Sequence, residues 1–582
     1  MSTRTAPPAR IPVLIAGGGP VGLAAAMELN LHGVSCAVIE PRPDVNWLRP
    51  RAKTVSARTM EHFRRWGLAE ELRKKAPLKV AWSSDIVFCA TLTGREITRF
   101  HDAFGLGLTG SDMVAEQGQQ APQPLVEQIL RQAVRDSRHA ALITGWRVTA
   151  ATQGSLDAQG SPATQGSPAT QGREPDVAGT PVSVTLQDRE GRTVSVVADY
   201  VLGCDGGRSV IREAIGARLD GSDDGRRSVN VTFRAPRLAA GVPHGNAVQY
   251  WVLNPQQPGL MGQLDLDGVW WCIANGVTQE AAEAHPYAIV QAMTGLPAST
   301  EADSSPGANP STGPGPSSGP CPSSGPDMPI EVLATDAWTA RMQLADRYAR
   351  GRMFIAGDAA HQNPPYGGHG FNTGVGDAVN IAWKLAAVIN GWAPPALLDS
   401  YQAERPPVAR DTIAEAARNM ATLATELSDP KLMGSSEDFE SVLPSVRAAI
   451  HRTKDREFHG LGLVLGYDYA DSPITAQGAG SPGQRLPHRW IAAGDSVYDH
   501  LGTGFTLIRC DSLTGKDDDG GLIAAAEEFG VPLTVLDLDG PDWAEHFGAA
   551  LMLVRPDQHV SWSGPPPADP RALIRTAVGW GG

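Results

Sequence analysis

Residues 351–384 read GRMFIAGDAAHQNPPYGGHGFNTGVGDAVNIAWK. The apolar run Met353 to Ala356 predicts a short buried strand ending at Gly357-Asp358, and a carboxylate at the carboxyl end of a parallel strand can hydrogen-bond a sugar or polyol hydroxyl. Pro364 and Pro365 stiffen the turn that follows, while Gly367, Gly368 and Gly370 let the backbone approach a flat ligand. The periodic stretch after Asn372 predicts a helix whose first amides point at that ligand. A reduced isoalloxazine carries negative charge near N1 and the C2 carbonyl, which suits a helix N-terminus, so the segment reads as a flavin site. The plain alternative is a Gly/Pro-rich surface loop before an ordinary amphipathic helix.

Two further motifs favour the flavin. Ile11 to Ala16 predicts a buried strand, followed by Gly17-Gly18-Gly19-Pro20-Val21-Gly22 and a helix over Leu23 to His32. Gly17, Gly19 and Gly22 fit GxGxxG, whose glycines make the tight turn, admit a pyrophosphate and allow close helix packing. A second strand, Ser35 to Ile39, ends in Glu40, at the roughly 20-residue distance expected of a ribose ligand. Arg4, Arg10 and the apolar residues after them do not read as a secretory signal, because the glycines and Glu28 interrupt the apolar run. The third motif is a strand from Tyr200 to Gly203, then Cys204-Asp205-Gly206-Gly207-Arg208, then a helix. A carboxylate, a glycine and the pair Arg208 and Arg212 at such a junction suit a ribityl-pyrophosphate region. A capping Asp at a plain strand-to-helix junction is the alternative.

In this order and spacing, the three motifs resemble those of single-component FAD-dependent aromatic hydroxylases of the para-hydroxybenzoate and phenol hydroxylase type. Arg51-Ala52 with Arg58-Thr59-Met60-Glu61 resembles the flavin-contacting arginine and the helix after it, and Gln123 with Val126-Glu127 and Leu130 resembles the family's Gln-containing helix. Leu397-Leu398-Asp399-Ser400-Tyr401 and Glu404-Arg405-Pro406-Pro407-Val408-Ala409 match its later helical region. The resemblance implies an α/β chain: a Rossmann-like FAD-binding domain of the glutathione reductase type, an inserted antiparallel-sheet substrate domain and a C-terminal thioredoxin-like domain. The expected boundaries are 1–76, 111–220 and 347–475 for the FAD-binding domain, 77–110 and 221–346 for the substrate domain, and 481–582 for the last.

The same resemblance implies a monooxygenase that uses NADPH or NADH transiently, holds FAD, and hydroxylates a phenolic or polycyclic aromatic substrate with O2 through a C4a-hydroperoxyflavin. Baeyer–Villiger insertion, epoxidation or antibiotic inactivation by the same chemistry, and a non-oxygenase flavoprotein, are the alternatives. Gly17, Gly19, Pro20, Gly22 and Glu40 would hold the ADP half of FAD. Arg51, Gln123, Asp205, Gly206 and Asp358 would hold pyrophosphate and ribityl, and Pro365, Gly367, Gly368, Gly370, Phe371 and Asn372 would frame the ring. For proton transfer, His101, Tyr250 and Pro365 are candidates beside Asp102 and His244, although a lone His is more often a surface or satisfied residue. With one GxGxxG, no second Rossmann unit for the nicotinamide is expected.

Length and composition agree. The 582 residues, 42% hydrophobic, can bury several cores. A net charge of −14 argues against nucleic acid, and no apolar stretch is long enough to span a membrane. The six cysteines form no metal or CxxC spacing, so reduced thiols in a cytoplasmic monomer or homodimer without a metal are expected. Short alternating runs, Ile86 to Ala90, Val229 to Phe233, Ala247 to Val252 and Val269 to Ala274, predict antiparallel strands that roof the flavin, with Tyr250, Trp251, Trp270 and Trp271 suited to an aromatic pocket. In the C-terminal unit Cys510 is alone, so a dithiol exchange is excluded and a structural role expected. Gln153 to Gly172 (153–172) and Ser299 to Pro329 (299–329) are too poor in apolar residues to pack and are expected to be flexible insertions. Deleting 299–329 should leave FAD content and turnover nearly unchanged; a large loss of activity would mean that the segment shapes the pocket.

Overall fold

The computed structural model describes residues 6–49, 53–154, 179–296, 329–480, 482–510, 519–540 and 542–580. Most of both low-complexity insertions, together with Cys321 and Arg51, lies outside them.

The apolar runs of the three motifs become neighbouring strands of one eight-stranded sheet. Its main path runs Ala349–Arg350, Met353–Ile355, Thr193–Gly203, Arg10–Ala16, Cys36–Glu40 and Ala140–Thr144. The last five of these are joined in parallel. Arg10–Ala16, Cys36–Glu40 and Met353–Ile355, buried over most or all of their length, read as continuous apolar runs, not alternating ones. Trp146–Gln153 and Val182–Asp188 attach to this sheet as an antiparallel pair. The first helix, Pro20–Leu31, starts three residues before the expected Leu23, since Pro20 presets φ at its first position. It packs on the sheet beside the helix Gly370–Ile389.

A second eight-stranded sheet takes its strands from three separate stretches: Ile86–Cys89 and Glu96–Phe100; then Leu219–Arg234, Gln249–Val252, Gly259–Gln263 and Val269–Asn275; then Glu331–Ala345 and His361–Gln362. The expectation of an antiparallel sheet needs one correction. Gln249–Val252 and Ile86–Cys89 run parallel, because they come from different stretches and no hairpin constrains their direction.

The last unit is built on a four-stranded sheet in the order Leu533–Leu538, Phe505–Cys510, Leu551–Val554, Val560–Gly564. Its Cys510 is buried. The unit docks on the C-terminal half of the helix Gly370–Ile389, where Trp383 stacks on Trp392 at 6.3 Å and meets Phe505 edge-on at 6.2 Å. Each fully buried ring of this kind contributes about 2 kcal/mol.

Polar groups lock the same junction. Glu404 is completely buried and accepts from both Arg555 Nη atoms at 2.7 and 2.9 Å, Lys384 Nζ at 2.6 Å, Asn380 Nδ2 at 2.6 Å and Ser472 Oγ at 2.6 Å. Burial alone would raise its carboxyl, but Arg555 and Lys384 outweigh it and hold the group down to about 2, against an ordinary 4.5. The stabilisation is therefore complete above about pH 4.5 and fades as pH falls toward 2. Glu404→Gln leaves buried cations uncompensated and should cost about 3–5 kcal/mol in denaturant unfolding at neutral pH. A loss below about 1 kcal/mol, within the range of an exposed pair, would refute a central role for this carboxylate.

Candidate active site

Parallel register places Ala16 beside Gly203 and Gly203 beside Ile355. The glycine turn after Ala16, Asp205 and Asp358 therefore leave the sheet at one edge, the carboxyl ends of adjacent strands, where α/β sheets bind ligands. All three border one cavity of about 710 Å³. From the first motif it is lined by Gly17, Gly19, Pro20 and Glu40. Gln123, Asp205, Gly206 and Asp358 line it too, as do Pro365, Gly367, Gly368, Gly370 and Phe371 from the stretch quoted first.

Several expected residues sit elsewhere. Gly22 does not border the cavity: a Cβ there would collide with the Gly17 carbonyl, so its smallness serves helix packing. Asn372 is a clamp and not a lining residue. Its Oδ1 accepts from Ser56 N at 3.0 Å, and its Nδ2 donates to Thr54 O at 3.2 Å and Gly368 O at 2.8 Å. Arg51 lies outside the described residues.

Several features of the lining have the chemistry that a dinucleotide needs. Gly17, at φ +101°, makes the turn that a side chain would strain, while the space above Gly19 is open. Glu40 accepts from Gly18 N at 2.8 Å and from Arg42 N and Nε at 2.9 and 2.8 Å, so it braces the glycine turn as well as facing the cavity. Asp205 combines both readings made for it. Its Oδ2 caps the following helix through Val210 N at 2.7 Å, and its Oδ1 is buried without a partner among the described residues, an acceptor that a ligand hydroxyl would satisfy. Burial pushes this carboxyl up. Asp358 is exposed at the cavity wall. The helix expected after Asn372 begins at Gly370, and no side chain caps it. Its first amides, those of Gly370, Phe371 and Asn372, lack intrahelical partners and carry the positive end of the dipole to the cavity edge.

The opposite wall is a face of the second sheet. Side chains alternate, so Trp251, Leu260, Trp271 and Ile273 share the face that lines the cavity. Tyr250 and Trp270, one position away, fall on the other face, within a separate core. The Tyr250 hydroxyl donates to Gly245 O at 2.5 Å, so this proton-transfer candidate is removed from the cavity. His101 is also removed: its side chain is 68% exposed and pairs with Asp85 at 3.0 Å. His244 lies 3.6 Å from Glu96 and does not border the cavity either. Of the three candidates, Pro365 alone lines it.

Sequence reasoning missed Phe104, Tyr366, Lys53 and Glu457, which also line the cavity. Phe104 is carried in by a backbone with positive φ at Asp102 (52°) and Phe104 (58°), a strained pair held by packing such as the edge contact of Phe104 with Phe458 at 5.7 Å. Glu457 pairs with Lys454 at 2.6 Å, and burial pushes its carboxyl up against the pull of that ammonium.

Residues 10–416 match the FAD binding domain family, and residues 479–582 match the C-terminal domain of aromatic-ring hydroxylases. The FAD-dependent monooxygenase apdD of Emericella nidulans is 30% identical over 604 residues, covering 95% of this chain and 87% of its own length. The tetracenomycin B2 monooxygenase-dioxygenase of Streptomyces olivaceus is 31% identical, covering 97% of each. The structure of the flavin-dependent monooxygenase PieE in complex with FAD and substrate superposes with a TM-score of 0.79 at 27% identity, over 99% of this chain and 100% of that one. With its parallel sheet, glycine turn, inserted sheet and C-terminal unit all in place, this chain belongs to the FAD-dependent monooxygenases of the aromatic-ring hydroxylase family.

Proposed function

We propose that the protein hydroxylates a phenolic or polycyclic aromatic compound in the space between the glycine-rich turn at 364–370 and the roof formed by Trp251 and Trp271. The observation that carries this reading is that one cavity joins the dinucleotide turn, two strand-end carboxylates and an aromatic sheet face. Bound FAD would supply the redox chemistry, taking hydride from NADPH or NADH and activating O2 for transfer of one oxygen atom to the ring.

The chain's own residues hold and shape that chemistry. Gly17, Gly19, Pro20 and Glu40 take the ADP half. Asp205 Oδ1, Asp358 and Gln123 meet the ribityl and pyrophosphate, while Pro365, Gly367 and Phe371 flank the ring. The uncapped amides at Gly370 favour negative charge on the reduced ring. Residues 77–110 and 221–346 form the substrate unit. Their apolar side chains exclude water from the reacting centre. Trp251 and Trp271 each carry an indole Nε1 with no protein acceptor among the described residues. These are donors, which suits a ring bearing carbonyl or hydroxyl oxygens. No helix among the described residues is long and apolar enough to cross a membrane, in keeping with a small-molecule substrate met in solution.

Two tests follow. FAD-loaded protein is given NADPH or NADH with a panel of phenols and aromatic polyketides, and product mass is followed. A ligand that speeds oxidation and gains one oxygen atom is the expected result; no stimulation across the panel would sink the reading. Asp358→Ala should lose its yellow colour on gel filtration, and full FAD occupancy in that variant would remove Asp358 from the cofactor site.

A further inference from the structure

Lys53 is a buried lysine, 7% exposed as a residue, on the wall of the cavity. Its Nζ donates to two backbone carbonyls, Val248 O just before the strand Gln249–Val252 and Gln263 O at the end of Gly259–Gln263, both at 2.7 Å. Among the described residues, no carboxylate lies within ion-pair distance of it. The charged groups on the elements around it are already engaged: Asp85 with Arg99 and His101, Asp265 with the amides of Asp267 and Val269, and Glu457 with Lys454. The nearest aromatic surface is Trp271, whose ring centre is 6.0 Å from Nζ.

The neutral amine can make these contacts as well as the ammonium can. A neutral amine has two N–H groups and one lone pair, and here both N–H groups already have carbonyl acceptors. The third position on Nζ has no hydrogen-bond partner among the described residues. We propose that Lys53 is the base that takes the proton from the hydroxyl of an aromatic substrate, so that the ring is hydroxylated as its phenolate. The proton passes from the substrate oxygen to Nζ, the oxygen keeps the electron pair, and the ammonium then stays beside the anion it has made. This rests on the hydroxylase reading and narrows it to rings with an ionisable hydroxyl. Burial lowers the ammonium from an ordinary 10.5 to about 7, so the amine is free to accept a proton at and above neutrality. Activity governed by it rises with pH through about 7.

The test uses FAD-loaded wild type, Lys53→Met and Lys53→Arg. The first readout is the absorption of bound 4-nitrophenol as a function of pH. In the wild type the bound probe should ionise below the pKa of the free probe, and in Lys53→Met above it. Lys53→Arg, which cannot give up its proton, should bind the nitrophenolate as tightly as the wild type does. The second readout is kcat/KM against pH for the phenol that the panel identifies. The wild type should show a rising limb near pH 7. Both variants should lack it and fall about a hundredfold at pH 7.5, the scale of general-base catalysis. A wild type without that limb, a 4-nitrophenol that ionises no more readily bound than free or does not bind, or a Lys53→Met protein that keeps the limb would each overturn the assignment. So would loss of FAD by Lys53→Met, which would give the side chain to the cofactor. If the wild type hydroxylates no phenol at all, it is the hydroxylase reading that has failed.

Discussion

The structure turns on two consecutive residues, Glu404 and Arg405, which hold the helix Gly370–Ile389 from behind. Glu404 gathers Lys384 and Asn380 from that helix and Arg555 from the C-terminal unit. Arg405 donates its Nε to Asp377 on the same helix at 2.7 Å. Asp377 in turn accepts from Gly357 N at 3.1 Å and shares a 2.8 Å hydrogen bond with His361. One buried chain of charges thus sets where the helix begins, where the strand before Asp358 ends, and where the last unit docks.

Such a network is costly unless every member is paired. Burial opposes the ionised form of Asp377 and Glu404 alike, and their cationic partners overcome it. The consequence is placement. A helix whose first turn leaves bare amides at the cavity edge is not anchored there but along its far side, where Asp377, Asn380 and Lys384 recur at intervals of three and four residues. The C-terminal unit contributes Arg555 and Asp557 to this anchorage. Arg58 also ties into it, through its hydrogen bonds to Asp557 O and Gln558. That gives the unit a structural task which does not need a second cysteine.

The two walls of the cavity obey different rules. On the side of the parallel strand ends, backbone groups and strand-end carboxylates dominate, so glycines and acids at fixed spacing announce the wall. On the roof, what matters is which of two alternating faces points inward, and an aromatic doublet such as Tyr250-Trp251 or Trp270-Trp271 gives one ring to each face whatever the register.

The sequence by itself determined the order of the three motifs, the parallel strands with their apolar runs, and most of the residues that line the cavity at the strand ends. Each of these depends on residues within about ten positions of one another, where turn geometry and strand period act directly. Tertiary structure alone decided the rest. The pairing of Thr232 with Trp271 and of Gly262 with Trp271 sent Trp271 inward and Trp270 away. The end of the strand Glu96–Phe100 left His101 in solvent. Lys53, an ordinary lysine in its own sequence neighbourhood, became a buried amine because carbonyls 195 and 210 residues away closed over it. Desolvation and long-range pairing act through space, and no local pattern of residue types carries them.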